Sequence, residues 1–215
     1  MDEETFVKII NLLAERYGIQ APVHLDSLDP FKVLVGTVLS HRTRDEVTDL
    51  AFRRLFSKYK NVEEIANAPL DDITRLIKPV GFYKEKAKRI KEIAKLILER
   101  YGGQVPRSRE LLMELPGVGY KTADIVLSVA YGEPIVAVDT HVETISKRLG
   151  IVGWNAKYEE IRKGIERITP PHMRRIVNRV LVTFGKEICR KPRPKCESCP
   201  ITAYCEWYTK KTLSR

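Results

Sequence analysis

The stretch Leu115–Ser128, LPGVGYKTADIVLS, decides how the rest of the chain is read. Two glycines, Gly117 and Gly119, flank Val118 directly ahead of a helical run. Glycine enters backbone conformations closed to other residues, and the first amides of a helix have no partner within it. A turn of this kind lays the N–H groups of Gly117, Val118 and Gly119 along a phosphate at the positive end of a helix dipole. In the run behind it, Ala123, Val126, Leu127 and Ala130 recur at i, i+3, i+4 and i+7 and mark a core-facing stripe. Lys121 and Ser128 then project to the opposite side. Periodicity alone leaves Lys121 as a solvated lysine, a phosphate clamp or a reacting amine.

Helical patterns flank this stretch on both sides. Phe6, Ile9, Ile10, Leu13 and Tyr17 form an amphipathic stripe stopped by Gly18, and Asp29-Pro30 supplies a cap and a first-turn proline for PFKVLVGTVLS. After the polar SHRTRDE, the positions Val47, Leu50, Ala51 and Leu55 begin another helix, followed by NVEEIANA and LDDITRLI. A long basic helix then runs from Lys84 to Tyr101 and ends at Gly102-Gly103, and its charged residues are expected to form a solvated face. SRELLMEL leads into the opening stretch. Beyond it, only Ile135 to Val138 looks strand-like, which is too short to argue a sheet. The expected fold class is all-α, with residues 132–139 crossing between two lobes.

A net charge of +10, from 38 basic and 28 acidic residues, calls for a polyanionic partner. Nucleic acid stands first and an anionic membrane second. No apolar run approaches the roughly 20 residues that span a bilayer, and the start MDEET is acidic rather than basic, so an intracellular protein is expected. Charged residues make up 31% of the chain while Gln occurs only at positions 20 and 104, a bias that suits a thermophile.

All four cysteines fall near the end, as Cys189-x6-Cys196-x2-Cys199-x5-Cys205. Such clustering reads as one metal site rather than a disulfide framework. Structural zinc sites usually pair two short knuckles, whereas this spacing has one; four thiolates also suit a [4Fe-4S] cluster. Spacing by itself leaves both metals open. Between the first two cysteines, Arg190, Lys191, Arg193 and Lys195 are set among two prolines, a stiff basic loop suited to gripping phosphates or simply to solvation.

In combination, LPGVGYKTA, the following VDTH at Val138–His141 and the cysteine spacing resemble the endonuclease III family of DNA glycosylases, with its helix-hairpin-helix, its Gly-Pro-rich loop ending in Asp, and its cysteine loop. The resemblance runs from PFKVLVGTVLS to the last cysteine. It implies a two-lobed helical fold with a six-helix barrel-like domain over 22–133 and a second lobe of 1–21 plus 134–215. It further implies a [4Fe-4S] cluster on Cys189, Cys196, Cys199 and Cys205, and a monomer acting on damaged double-stranded DNA in a prokaryotic cytoplasm.

The implied activity is base excision repair by a bifunctional N-glycosylase and abasic-site lyase for oxidised or reduced pyrimidines. Lys121 occupies the nucleophile's position: its neutral amine, favoured by a helix terminus and low solvent exposure, attacks C1′ of deoxyribose and leaves an imine through which β-elimination cuts the strand. Asp139 occupies the position of the second catalytic residue, a carboxylate that stabilises positive charge on the sugar. As a helix start, Asp139 also reads as an N-cap, although Thr140-His141-Val142-Glu143 fits a capping box that leaves Asp139 free.

A damaged base must leave the stack, and side chains fill the vacated space. Where the family usually has glutamine after the first core helix, this chain has His41-Arg42, with Arg42 the better aligned; the second filler position is Phe82, otherwise read as a buried aromatic. Two other readings compete. A monofunctional mismatch glycosylase for thymine, uracil or adenine carries serine or tyrosine in place of the lysine, and a non-catalytic iron-sulfur DNA-binding protein needs neither Lys121 nor Asp139.

Overall fold

A computed structural model describes residues 1–20 and 28–213 of the chain. Its described residues are helical, with twelve α-helices and two short 3₁₀ turns among them. They fall into two compact units, Met1–His24 with Gly132–Arg215, and Leu25–Tyr131. The expected domain junction at residues 21 and 22 lies outside the described residues. No described helix is long and apolar enough to cross a membrane.

The unit Leu25–Tyr131 holds α2 (Pro30–Ser40), α3 (Asp45–Lys58), α4 (Val62–Asn67), α5 (Leu70–Ile77), α6 (Tyr83–Tyr101), α7 (Arg109–Met113) and α8 (Tyr120–Ala130). Polar caps set several of these starts: Asp29 accepts from Phe31 N at 2.9 Å and Asn61 from Glu64 N at 2.9 Å. α6 is the spine, touched by α2, α4 and α5, while α8 packs on α2 and α7. Ile90, Ile93, Ala94 and Ile97 form the buried stripe of that spine. Each fully buried Ile contributes about 1.5–3 kcal/mol relative to exposure.

Three expectations are corrected here. Leu50 is 45% exposed, because a helix beginning at Asp45 turns Thr48, Ala51, Leu55 and Phe56 inward instead. Ser128 is buried, since α8 is enclosed by both α2 and α7 and buries more of its circumference than one apolar stripe. Lys86 interrupts the solvated face of α6: it lies at 3% exposure on the same stripe as Ile90 and Ala94.

The other unit holds α1 (Glu3–Arg16), α9 (Thr140–Arg148), α10 (Tyr158–Arg167), α11 (Pro171–Glu187) and α12 (Glu206–Leu213). Its core joins Phe6, Ile9 and Leu13 of α1 to Val142 and Ile145 of α9 and to Val177, Leu181 and Phe184 of α11. The strand-like run before α9 is an extended strap without a ladder. Its polar backbone is satisfied by side chains: Val136 N donates to Glu166 Oε1 at 3.0 Å, Val138 N to the Tyr158 hydroxyl at 3.2 Å, and Asn178 Nδ2 donates to Ala137 O at 2.8 Å. This strap delivers the chain to Asp139 in a fixed register.

Candidate active site and metal centre

Gly117 takes φ of 71°, the left-handed region that glycine enters without steric penalty, and turns the chain back after α7. The Val118 amide is engaged inside that turn, donating to Leu115 O at 3.1 Å, and its side chain is buried. Val118 therefore anchors the turn rather than extending a row of open amides. Gly119 is the N-cap of α8 and offers no side chain to the first-turn amides, so the helix keeps its positive end.

Lys121 is the second residue of α8 and is half-buried. Next to it, the Thr122 hydroxyl lies 3.3 Å from His41 Nε2, which ties this first turn to the end of α2. Burial, and then the charges of Lys121, Lys86 and Arg89, lower the His41 imidazole to about 4, so it is neutral at pH 7. Lys86 donates to Leu39 O at 2.8 Å, His41 O at 2.5 Å and Thr43 Oγ1 at 3.1 Å. The surroundings of Lys121 in this unit are thus cationic, with His41 held uncharged.

On the same unit, Arg42 and Phe82 are exposed, Phe82 at 65%, and both take left-handed backbone with φ of 52° and 57°. Phe82 is the N-cap of α6 and is not the buried aromatic of the competing reading.

In the other unit, Asp139 is the N-cap of α9. Its Oδ1 accepts from His141 N at 2.9 Å and Val142 N at 2.8 Å, which leaves Oδ2 outside the cap. Thr140 is the first helical residue, so a Thr140 cap is ruled out. The strap sets this outcome, because it arrives extended at Asp139 with ψ near −175°.

The four cysteines are free and partly exposed, and they line one pocket together with Arg148, Phe184, Ile188, Ile201 and Trp207. Arg148, 7% exposed, donates from Nη1 to Cys189 Sγ at 3.0 Å, Cys189 O at 3.0 Å and Arg190 O at 3.2 Å, with its guanidinium 5.0 Å from the Trp207 ring centre. Burial pushes the Cys189, Cys199 and Cys205 thiols up, Cys199 to about 11, and the neighbouring sulfurs add to the shift. Among the described residues, no three His, Cys, Asp or Glu side chains converge as a site for a single metal ion. Arg190, Lys191, Arg193 and Lys195 project into solvent from the loop between Cys189 and Cys196.

Residues 35–171 match the model of the HhH-GPD superfamily base excision DNA repair proteins. Endonuclease III of Thermotoga maritima is 43% identical over 203 residues, which covers 94% of this chain and 95% of that protein. The chain belongs to the endonuclease III family. Endonuclease III of Bacillus subtilis is 42% identical over 177 residues, covering 82% of this chain and 81% of its own. A solved structure of a trapped endonuclease III–DNA covalent intermediate, an estranged-adenine complex, superposes with a TM-score of 0.86 at 34% identity, covering 99% of each chain.

In this endonuclease III family member, each unit gathers part of the site expected from sequence. One brings Gly117, Val118, Gly119, Lys121, His41, Arg42 and Phe82 onto α8 and the turns before α3 and α6. The other brings Asp139, the cysteines and the basic loop onto α9, α11 and the chain beyond. Two participants escaped the sequence reading, Lys86 and Arg148. Each had a signal: Lys86 falls in phase with Ile90 and Ala94, and Arg148 follows Ile145 by three, so both charges sit on apolar stripes.

Proposed function

We propose that Lys121 is the nucleophile through which this DNA glycosylase and abasic-site lyase of base excision repair acts on oxidised or reduced pyrimidines in double-stranded DNA. One observation carries the reading: Lys121 stands half-buried in the uncapped first turn of α8, beside a neutral His41 and among cations that attract the phosphates flanking a sugar.

Attack of the Lys121 Nζ lone pair on C1′ breaks the bond to the base, which leaves with the bonding electrons and takes up a proton. Loss of a proton from nitrogen and opening of the sugar ring give an imine between Nζ and C1′. Removal of a C2′ proton then expels the 3′ phosphate, and water releases the amine. Asp139, with Oδ2 outside its cap, supplies the negative charge that offsets the cationic sugar and assists proton transfer.

The duplex is held by phosphate contacts, for which the net charge of +10 and the exposed Arg190, Lys191, Arg193 and Lys195 are suited, together with the Gly117–Gly119 turn. Arg42 and Phe82, with His41 behind them, fill the space left by the extruded base. The cysteines fit a [4Fe-4S] cluster as a donor set, being four free thiols on one pocket with an arginine donor at Cys189. When bound, that group pins the basic loop as a structural staple. The likeness to bacterial endonuclease III proteins supports work on DNA in a prokaryotic cytoplasm, with a monomer proposed as the acting form.

Borohydride trapping tests the central assignment. Incubation with a duplex containing thymine glycol or an abasic site should give a covalent protein–DNA adduct, and a wild-type protein that yields none refutes the lysine mechanism.

A further inference from the structure

Among the described residues, two non-glycine residues adopt left-handed backbone, Arg42 and Phe82. Such conformations persist only where the surrounding structure over-determines them. Here that structure is Lys86. Its ammonium, 3% exposed at the start of α6, reaches under the turn between α2 and α3 and donates to Leu39 O, His41 O and Thr43 Oγ1 at 2.8, 2.5 and 3.1 Å.

The Thr43 hydroxyl passes the contact on. It donates to His41 O at 3.2 Å and accepts from Gly81 N at 3.3 Å, so it joins the turn carrying Arg42 to the turn carrying Phe82. The two turns meet backbone to backbone: a Cβ on Gly81 would stand 2.9 Å from Arg42 O. The three acceptors of Lys86 are two carbonyls and a hydroxyl, with no carboxylate among them. A buried ammonium without a counter-ion is a poor way to add stability, because an apolar side chain fills the same space without desolvating a charge. What an ammonium supplies instead is three directed donors at one point.

We propose that Lys86 is a positioning residue that locks the Arg42 and Phe82 turns into one rigid unit aimed at the duplex. The inference rests on the reading that Arg42 and Phe82 enter the space left by the extruded base. Lys86 touches neither the sugar nor the base; it sets the direction from which the two filling side chains arrive.

The experiment uses full-length, cluster-loaded protein and a duplex with 2-aminopurine opposite a tetrahydrofuran abasic analogue, whose fluorescence reports side chains entering beside the orphaned base. For Lys86→Met the fluorescence response should fall about tenfold, while affinity for undamaged duplex stays within about twofold, because misplacement by an ångström degrades geometry without loosening the phosphate grip. A folded Lys86→Met protein with the wild-type response overturns the proposal. So does loss of affinity for undamaged duplex in step with the response, which marks a merely structural role. If Lys86→Met does not fold, Thr43→Val decides, since it removes only the relaying hydroxyl: a response reduced at least about twofold is expected, and an unchanged response overturns the proposal. A wild-type protein that gives no response rejects the insertion reading itself, which keeps the two failures apart.

Discussion

Asp139 closes the N-terminus of α9 through one oxygen, its Oδ1 accepting the Val142 amide at 2.8 Å. The cap and the proposed chemistry thus use different oxygens of one carboxylate, and substitution can separate them. Asn caps about as well as Asp, so Asp139→Asn should unfold within about 1 kcal/mol of wild type after loss of the charge–dipole term. Its single-turnover excision of thymine glycol should fall about a hundredfold or more. Asp139→Ala should lose that activity and a further ~1 kcal/mol of stability. An Asp139→Asn enzyme within threefold of wild-type rate would sink the catalytic role.

Lys121→Gln leaves a polar side chain, one atom shorter and uncharged, in the first turn of α8 and removes the nucleophilic amine. It should bind lesion duplex with near wild-type affinity and give no borohydride-trapped adduct. Equal trapping by this variant would mean that another amine reacts.

His41 makes stability depend on pH in the acid range. Its imidazole is lowered from 6.5 to about 4 by burial, then by Lys121, Lys86 and Arg89. Between these values the unfolded chain binds more protons than the folded one, so stability is full above about 6.5 and falls as pH drops towards 4. The loss should be on the order of 2 kcal/mol, allowing for partial solvent screening. Denaturant midpoints at pH 7 and 4.5 should therefore lie closer together for His41→Gln than for wild type, and equal spacing in the two proteins contradicts the assignment.

Arg109 pairs with the fully buried Asp124 at 2.7 Å, and its guanidinium lies 4.9 Å from the Tyr120 ring centre. The pair joins α7 to α8 on either side of the glycine turn. Arg109→Leu removes a charged partner from a buried carboxylate and should destabilise the protein by about 3 kcal/mol, read from thermal or denaturant unfolding. A loss below about 0.5 kcal/mol, the scale of an ordinary surface pair, would show that the contact is not structural.

Arg148 donates to Cys189 Sγ and to two carbonyls beside it. Partners of metal-ligating groups commonly change metal affinity by about tenfold or more. Arg148→Met should therefore purify with less iron and lose its visible absorbance faster under a chelator than wild type. A colourless, zinc-loaded wild-type protein would overturn the cluster assignment itself.

The helices were legible because their signals are local. Asp29-Pro30 announces the start of α2, Gly102-Gly103 ends α6, and the stripes of Phe6 to Leu13 and of Ala123 to Leu127 follow helical phase. Lys121, Asp139 and the four cysteines stand out only through the combined resemblance of LPGVGYKTA, VDTH and the cysteine spacing to a known family, since periodicity leaves the lysine and the aspartate open and spacing leaves the metal open. The phase of α3 was misjudged because Leu50 is apolar yet faces solvent, and hydrophobicity records what a residue can bury rather than what covers it.

By itself, then, the sequence determined an all-α chain with a lysine behind a glycine turn, an aspartate at a helix start and a cysteine loop, because capping, periodicity and ligand spacing act over a few neighbouring residues. Only the tertiary structure decided which of Asp139 and Thr140 caps α9, that His41 is neutral beside Lys121, and that Lys86 lies under the turn of Arg42. Those outcomes depend on partners 43 to 47 residues apart for Lys86 and 81 apart for His41 and Thr122, brought together by the packing of α2, α6 and α8 and by the strap before α9. Burial and charge at such contacts are properties of the folded surroundings, and no local pattern encodes them.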